Sequence, residues 1–297
     1  MQKKINIIYI ISDRRSGSTL LENILSKSGE TVSVGELAML KGHIEKDGPG
    51  ELWNWNCSCR QPIMQCTFWS KVLAGIYDDS FETKIKWFYK SLNALYTAVL
   101  PGNAKKNLLR FIHTPESIDT TKRLNTIYKA LANVSTKNFI VDSSKDPIQA
   151  LAVNECEDVD AKFIWLSRDL RAITVSKLRR WYINKRSDKK ALETLTDSLF
   201  YKKICGAAFK TLDKNNIIKI AYEMLASNPQ EALDAICTKF SLQKYKVPAY
   251  MELVNDHTIA GTPGRFERKL ITADNSWKAF YEKRFALNAL GKFFNSL

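Results

Sequence analysis

The stretch Ile5–Leu25, INIIYIISDRRSGSTLLENIL, constrains this chain more than any other. Ile5 to Ile11 is an apolar, β-branched run, too short to span a membrane, and it predicts a buried strand. Ser18 and Thr19 then supply helix start signals, and Leu20, Leu21, Ile24 and Leu25 follow at helical spacing. Strand, tight polar turn and helix N-terminus make a phosphate-holding arrangement, because loop N–H groups and the helix dipole converge on an anion. Gly17 lets backbone approach that anion, and Arg14 and Arg15 add positive charge beside it. Taken alone, the same residues also describe an ordinary strand–turn–helix with two solvated arginines.

The 297 residues suffice for one large domain or two small ones. Lys plus Arg is 45 against 31 for Asp plus Glu, a net charge of +14. That excess favours anionic partners: nucleotides, polyanions, nucleic acid or an acidic membrane surface. Residues 1–4 lead straight into the strand, so neither a signal peptide nor a membrane anchor is expected. The six cysteines (57, 59, 66, 156, 205 and 237) form no secreted disulfide framework, which points to a reducing cytoplasm.

Further along, Thr31 to Val34 is a short β-like run ending at Gly35-Glu36, a place where an open α/β sheet displays functional side chains. Residues 41–66 are irregular and rich in Gly, Trp and Cys. Cys57, Cys59 and Cys66, with His43 as a conceivable fourth ligand, lack the paired CxxC spacing of a typical zinc module; reduced thiols in a compact loop are the plainer reading. Residues 68–100 predict two helices, the second carrying an apolar stripe of Trp87, Phe88, Leu92, Leu95, Tyr96 and Val99. Residues 102–117 read as a basic loop and 121–133 as an amphipathic helix. Buried strands follow at 138–141, 162–166 and 217–221, with a long basic helix from about Ala172 and another helix over 228–240. Strands alternating with helices imply one α/β domain, a mostly parallel sheet with right-handed crossovers and flanking helices.

Three strand ends present cations: Arg15 after the first, Lys145 after the second of the long strands, Arg168 after the third. In a parallel sheet these ends share one edge. The loop lacks the Gly-Lys pair of a Walker kinase motif. Asp142, closing an apolar strand, still resembles a magnesium-binding aspartate, which keeps an ATP-dependent P-loop small-molecule kinase as the alternative. Arg168 and Ser176, two helical turns apart across a strand–helix junction, can bind a second phosphate. Two separate phosphate sites suggest a nucleotide with phosphates at its 5′ and 3′ positions. The basic run Lys177–Lys190 supports nucleic-acid binding less well than it does a solvated helix face.

On these motifs the chain resembles sulfotransferases that use 3′-phosphoadenylyl sulfate (PAPS), of the largely bacterial branch similar to tyrosylprotein sulfotransferases. Arg15-Ser16-Gly17-Ser18-Thr19 matches that family's R-S-G-[ST]-T loop, and Phe163–Ser176 its strand–Arg–seven residues–Ser element. Ser144-Lys145-Asp146-Pro147 matches [SN]-K-D-P, and Tyr222-Glu223-Met224-Leu225 matches Y-E-x-L. Gly35-Glu36-Leu37, Cys57–Trp69 and His257–Arg265 follow further family elements in order, with Thr262 where the pattern has Asn. The resemblance covers roughly residues 5–280 and implies a P-loop-like nucleotide-hydrolase fold.

It also implies roles. Glu36 is the general base; Arg15 and Lys145 stabilise charge on the transferring and leaving oxygens. Ser16, Gly17, Ser18 and Thr19 cradle the 5′-phosphate, while Arg168, Ser176 and Arg265 hold the 3′-phosphate and Tyr222 lies near the adenine. The product nucleotide is adenosine 3′,5′-bisphosphate and no metal is required, since a sulfuryl group carries less charge than a phosphoryl group. The acceptor is a small-molecule, lipid or glycan hydroxyl or amine, met by the variable helices and loops of about residues 41–113; no nucleic-acid partner is expected.

Overall fold

The computed structural model describes residues 3–45, 56–76, 112–183, 187–251, 257–262 and 269–297. Its centre is a five-stranded parallel sheet made of β1 (Ile5–Ser12), β2 (Thr31–Gly35), β3 (Phe139–Lys145), β4 (Val159–Ser167) and β5 (Ile217–Ala221), in the order β2-β3-β1-β4-β5. The apolar run of β1 takes the central position because it is buried on both faces. Ile7, Tyr9 and Ile11 pack into one core, and Ile8 and Ile10 into the other. The strand length predicted from residue 5 to 11 is met to within a residue.

Helices cover both faces. On one side α1 (Ser18–Leu25) and α9 (Pro229–Phe240) enclose Ile8, Ile10, Ile164 and Ile220; α8 (Tyr222–Ser227) precedes α9 directly. On the other, α3 (Trp69–Ala74), α4 (Pro115–Val134) and α5 (Pro147–Asn154) surround Ile7, Tyr9 and Phe163. α6 (Leu170–Trp181), α7 (Asp188–Phe209) and α11 (Phe285–Ser296) pack through Leu170, Ile173, Leu195, Leu199 and Leu290. Short elements complete the described chain: α2 (Leu40–Glu45), β6 (Tyr250–Met251) paired antiparallel with β7 (Lys269–Leu270), and α10 (Lys278–Tyr281).

Two boundaries differ from the sequence expectation. α4 begins at Pro115, inside the expected loop, because Thr114 caps it: its hydroxyl accepts from the Ser117 N–H, and proline suits the first helical position. β3 does not stop at Val141 but runs to Lys145, and Asp142, Ser143 and Ser144 are all buried. A register shift opposite Tyr9–Ile11 ends the pairing with Ile11 facing Lys145. The predicted second helix, with its apolar stripe at 87–99, lies outside the described residues.

Topology now places the chemistry. After β1 the chain moves outward to β2, whereas after β3 it crosses β1 to reach β4, so the order reverses about the central strand. Ligands of open α/β sheets bind beyond the carboxyl ends of strands at such a reversal.

Candidate active site

Register aligns the strand ends: Ile11 pairs with Lys145, Ser12 with Leu166, Gly35 with Asp142 and Ser167 with Ala221. The residues that follow are the loop 13–17, Glu36, Arg168 and Tyr222, so every strand of the sheet delivers a predicted site residue to one edge.

The loop after β1 is held in an uncommon backbone shape. Arg15 has φ 72° and Gly17 φ 92°, both in the left-handed region. Gly17 is also packed against the Tyr222 ring so closely that a Cβ would sit 2.3 Å from Tyr222 Cδ2. Glycine is thus required twice over at this position. No side chain caps α1, so its first turn is left to face the loop. Beneath the loop Asp13 is tied to Lys177 of α6 at 2.7 Å, and Lys177 also donates to Ser198 Oγ at 2.9 Å.

Around this loop the cations converge. Arg15 Nε donates to Ser176 Oγ at 3.0 Å, and Arg168 Nη1 donates to the Arg15 carbonyl at 2.9 Å. Burial, then the positive charges of Arg180 and Arg168, push the Arg15 guanidinium below the usual arginine range. The Arg168 guanidinium lies 4.1 Å over the Tyr222 ring and reaches Asp274 Oδ2 at 3.2 Å. Tyr222 Oη in turn accepts from the Asp274 N–H at 3.4 Å. Ser12 Oγ, Ser16 Oγ and Arg168 Nε are buried and have no hydrogen-bond partner among the described residues. Clustered positive charge with unpartnered buried donors fits an anionic ligand of more than one phosphate group.

Two strands away stands the second half. Glu36 Oε1 lies 2.5 Å from Lys145 Nζ, with both side chains mostly shielded from solvent. Lys145, like Arg15, has a left-handed backbone, φ 72°. Both predicted catalytic cations thus carry a left-handed backbone, as do Arg60, Ser241 and Ala260 elsewhere in the described chain, and strain of this kind costs roughly 1–3 kcal/mol each. Glu36 is fixed through its backbone: its N–H donates to the Ile259 carbonyl at 3.0 Å, and Ile259 N–H donates to the Val34 carbonyl at 3.1 Å. Gly35 permits this approach, since a Cβ there would meet the Ile259 carbonyl oxygen at 2.1 Å. Arg15 also feels the Glu36 charge, which connects the two halves electrostatically.

Asp142 is turned into the fold. Its buried carboxylate accepts from Tyr128 Oη at 2.7 Å, from the Ser144 N–H at 2.8 Å and from Ser144 Oγ at 2.5 Å. Ser144 Oγ accepts from the Ala38 N–H at 2.9 Å, so this network clamps the turn that carries Glu36. Burial raises the Asp142 carboxyl to about 6. The feature on which the magnesium-nucleotide alternative rests is therefore engaged inside the fold. The basic run is likewise engaged: besides Lys177, Arg179 donates to Ser276 and Lys190 to Glu193.

Sequence reasoning missed Asp274, Arg180 and Glu22. Glu22, fully buried on α1, accepts from Ser33 Oγ and, at 2.9 Å, from Ser143 Oγ; burial lifts its carboxyl to about 7. A charged residue in the apolar period of the first helix was its only signal. Arg265 lies outside the described residues, as does much of the acceptor-side region. No helix among the described residues is long and apolar enough to cross a membrane.

A family model described as "Sulfotransferase family" matches residues 8–246. Comparison with curated protein sequences returns no match. Among solved structures, the sulfotransferase domain of the Synechococcus PCC 7002 olefin synthase is similar, with TM-score 0.59 and 18% identity over 99% of this chain and 96% of that one. The sulfotransferase domain from the curacin biosynthetic pathway gives TM-score 0.54 and 14% identity over 99% and 98%. At such identities these likenesses speak for the fold.

Proposed function

The chain belongs to the sulfotransferase family, and from that premise we propose that it transfers a sulfuryl group from PAPS to a hydroxyl or amine of an acceptor. The observation that carries this reading is the pairing, on one sheet edge, of an arginine-lined cradle having unpartnered buried donors with the Glu36–Lys145 ion pair. In this reading Ser16, Gly17, Ser18 and Thr19 hold the 5′-phosphate end. Arg168 and Ser176, joined by Arg265, hold the 3′-phosphate. Tyr222 keeps the loop and Arg168 in place and borders the base.

PAPS supplies the sulfuryl group; the rest is done by side chains. Glu36 takes the proton from the acceptor. Arg15 and Lys145 balance negative charge that develops during transfer, and their constrained backbones mean little reorganisation is needed. Protein cations suffice here because the transferred group carries less charge than a phosphoryl group. The acceptor, a small molecule, lipid or glycan, is met by residues of the 41–113 region.

The test is nucleotide preference. Adenosine 3′,5′-bisphosphate without added metal should raise the melting temperature, with about 2.7 kcal/mol of stabilisation at a hundredfold excess over Kd. Radiolabelled PAPS offered with an acceptor panel should then yield sulfated product. Stabilisation by Mg-ATP and not by the bisphosphate would overturn the reading in favour of a kinase.

A further inference from the structure

The cysteine loop has a structure that its spacing does not advertise. Asn56 and Pro62 form an antiparallel bridge, the Cys57 N–H donates to the Gln61 carbonyl at 2.9 Å, and the Arg60 N–H donates to the Cys57 carbonyl at 2.8 Å. Arg60 takes a left-handed φ of 70° to close this turn. Cys57 and Cys59 therefore sit on one tight hairpin turn. A single 3-10 turn, Ile63–Gln65, then brings Cys66 back beside them.

The fourth group comes from 191 residues beyond Cys66. His257 is guided in by a reciprocal pair of hydrogen bonds: the Ser58 N–H donates to the Thr258 carbonyl and the Thr258 N–H to Ser58 Oγ, both at 2.9 Å. Its ring stacks on Phe68, 5.0 Å between centroids and 4° between planes, and its carbonyl accepts from Trp69 Nε1 at 2.6 Å. Backbone N–H groups of Phe68 and Trp69 donate to the Cys66 sulfur.

Cys57, Cys59, Cys66 and His257 place their ligand atoms all within 4.8 Å of one another. Cys57 Sγ lies 3.7 Å from Cys66 Sγ and 3.7 Å from His257 Nδ1, while Cys66 Sγ lies 3.1 Å from that nitrogen. A tetrahedral zinc ion with bonds of about 2.3 Å to sulfur and 2.0–2.1 Å to nitrogen needs S···S edges near 3.8 Å and S···N edges near 3.6 Å. The three edges among Cys57, Cys66 and His257 lie within about half an ångström of these, and Cys59 Sγ lies within 4.8 Å of each. The same 3.7 Å is far longer than a disulfide bond of about 2.05 Å.

We infer that Cys57, Cys59, Cys66 and His257 form a structural Cys3His zinc site. Three thiolates and an imidazole select zinc among the common divalent ions, and four protein ligands close the coordination sphere, which marks a structural rather than a catalytic metal. His43, the ligand suggested by sequence proximity, is engaged elsewhere: its Nε2 accepts from the Ala260 N–H at 2.9 Å. Binding releases the thiol protons to solvent, and the metal clasps the loop of 56–66 to the segment 257–260. That segment is the one whose Ile259 pairs with Val34 and Glu36, so the clasp anchors the backbone of the proposed base from behind. The metal assignment itself is independent of the reaction assigned to Glu36.

The experiment uses untagged full-length protein purified under reducing conditions without added metal. Elemental analysis should find about one zinc per chain, and cobalt exchange should give the visible bands of a tetrahedral ion together with a near-ultraviolet thiolate-to-cobalt band. His257→Gln and Cys59→Ser should lose the zinc and lower the melting temperature, whereas His43→Gln should keep the zinc. If the ligand variants fail to fold, the cobalt spectrum of the wild-type protein decides. Folded, fully reduced protein that carries no zinc and gives no thiolate–cobalt band would overturn the proposal. So would a Cys57–Cys66 disulfide in the isolated protein, or loss of zinc in His43→Gln with retention in His257→Gln.

Discussion

Replacing Glu36 by glutamine removes one charge and almost nothing else. The backbone contacts that hold the residue, its N–H to the Ile259 carbonyl and its carbonyl to the Met39 N–H, do not depend on the side chain. What is lost is the ion pair with Lys145 at 2.5 Å. At an effective dielectric of about 20 the gross attraction at that distance is ~6–7 kcal/mol, most of it offset by desolvation of the two ions. The net loss of stability should be about 1.5–3 kcal/mol, the usual contribution of a hydrogen bond to a charged group. In a chain of this size that lowers the melting temperature by a few degrees, at about 2–4 °C per kcal/mol. The catalytic loss should be far larger, because glutamine cannot take a proton. Removal of a general base lowers turnover roughly 10²–10⁴-fold, a barrier increase of about 3–5 kcal/mol. Binding of adenosine 3′,5′-bisphosphate should move in neither of those directions. It should stay within about threefold, less than 0.7 kcal/mol, or tighten slightly, since Lys145 loses its anionic partner. Turnover is read with radiolabelled PAPS and an acceptor from the panel, and binding by calorimetry. A variant that turns over within about tenfold of wild type (1.4 kcal/mol) would remove Glu36 from the base role. A variant that loses nucleotide affinity along with turnover would show that the carboxylate organises the cradle instead.

Arg168→Ala should weaken the bisphosphate by about tenfold or more, one charge-assisted contact at 1.5–3 kcal/mol, while adenosine 5′-phosphate binding falls much less; equal losses would contradict the 3′-phosphate assignment. Glu22 predicts a pH dependence. Its folded pKa of about 7 lies above the ordinary carboxylate value of 4.5 because burial disfavours the charged form. The unfolded chain therefore ionises first as pH rises, and this group's contribution is complete below pH 4.5 and lost by about pH 7, a few kcal/mol at ~1.4 kcal/mol per unit. Urea unfolding at pH 5 and pH 7.5 should show Glu22→Gln gaining on wild type at the higher pH, and a pH-independent difference would refute the assignment.

How much of this was legible depends on the range of the physics involved. β1, the Arg15–Thr19 loop and α1 are specified by neighbours within twenty residues, so their order and boundaries were readable. So were the strand ends at Glu36, Lys145, Arg168 and Tyr222, because a parallel sheet must bring such ends to one edge whichever way its strands are ordered. Strand order itself was not readable, since which strands become neighbours is decided by the crossover connections and not by any run within a strand. The continuation of β3 through Asp142–Lys145 was also hidden: a polar run reads as a loop until its partners, Tyr128, Ala38 and Glu22, are in place.

The amino-acid sequence by itself determined a strand–loop–helix of the shape that suits an anion, a parallel α/β sheet around it, and the cast of charged residues at its edge. Only the tertiary structure decided what those residues touch. Asp142 turned inward to hold the Glu36 turn, Tyr222 became the surface on which Gly17 closes, and His257, not His43, joined the cysteines. Each outcome rests on contacts between residues 106 to 205 positions apart, or on competition for a buried hydrogen bond, and neither leaves a local pattern in the chain.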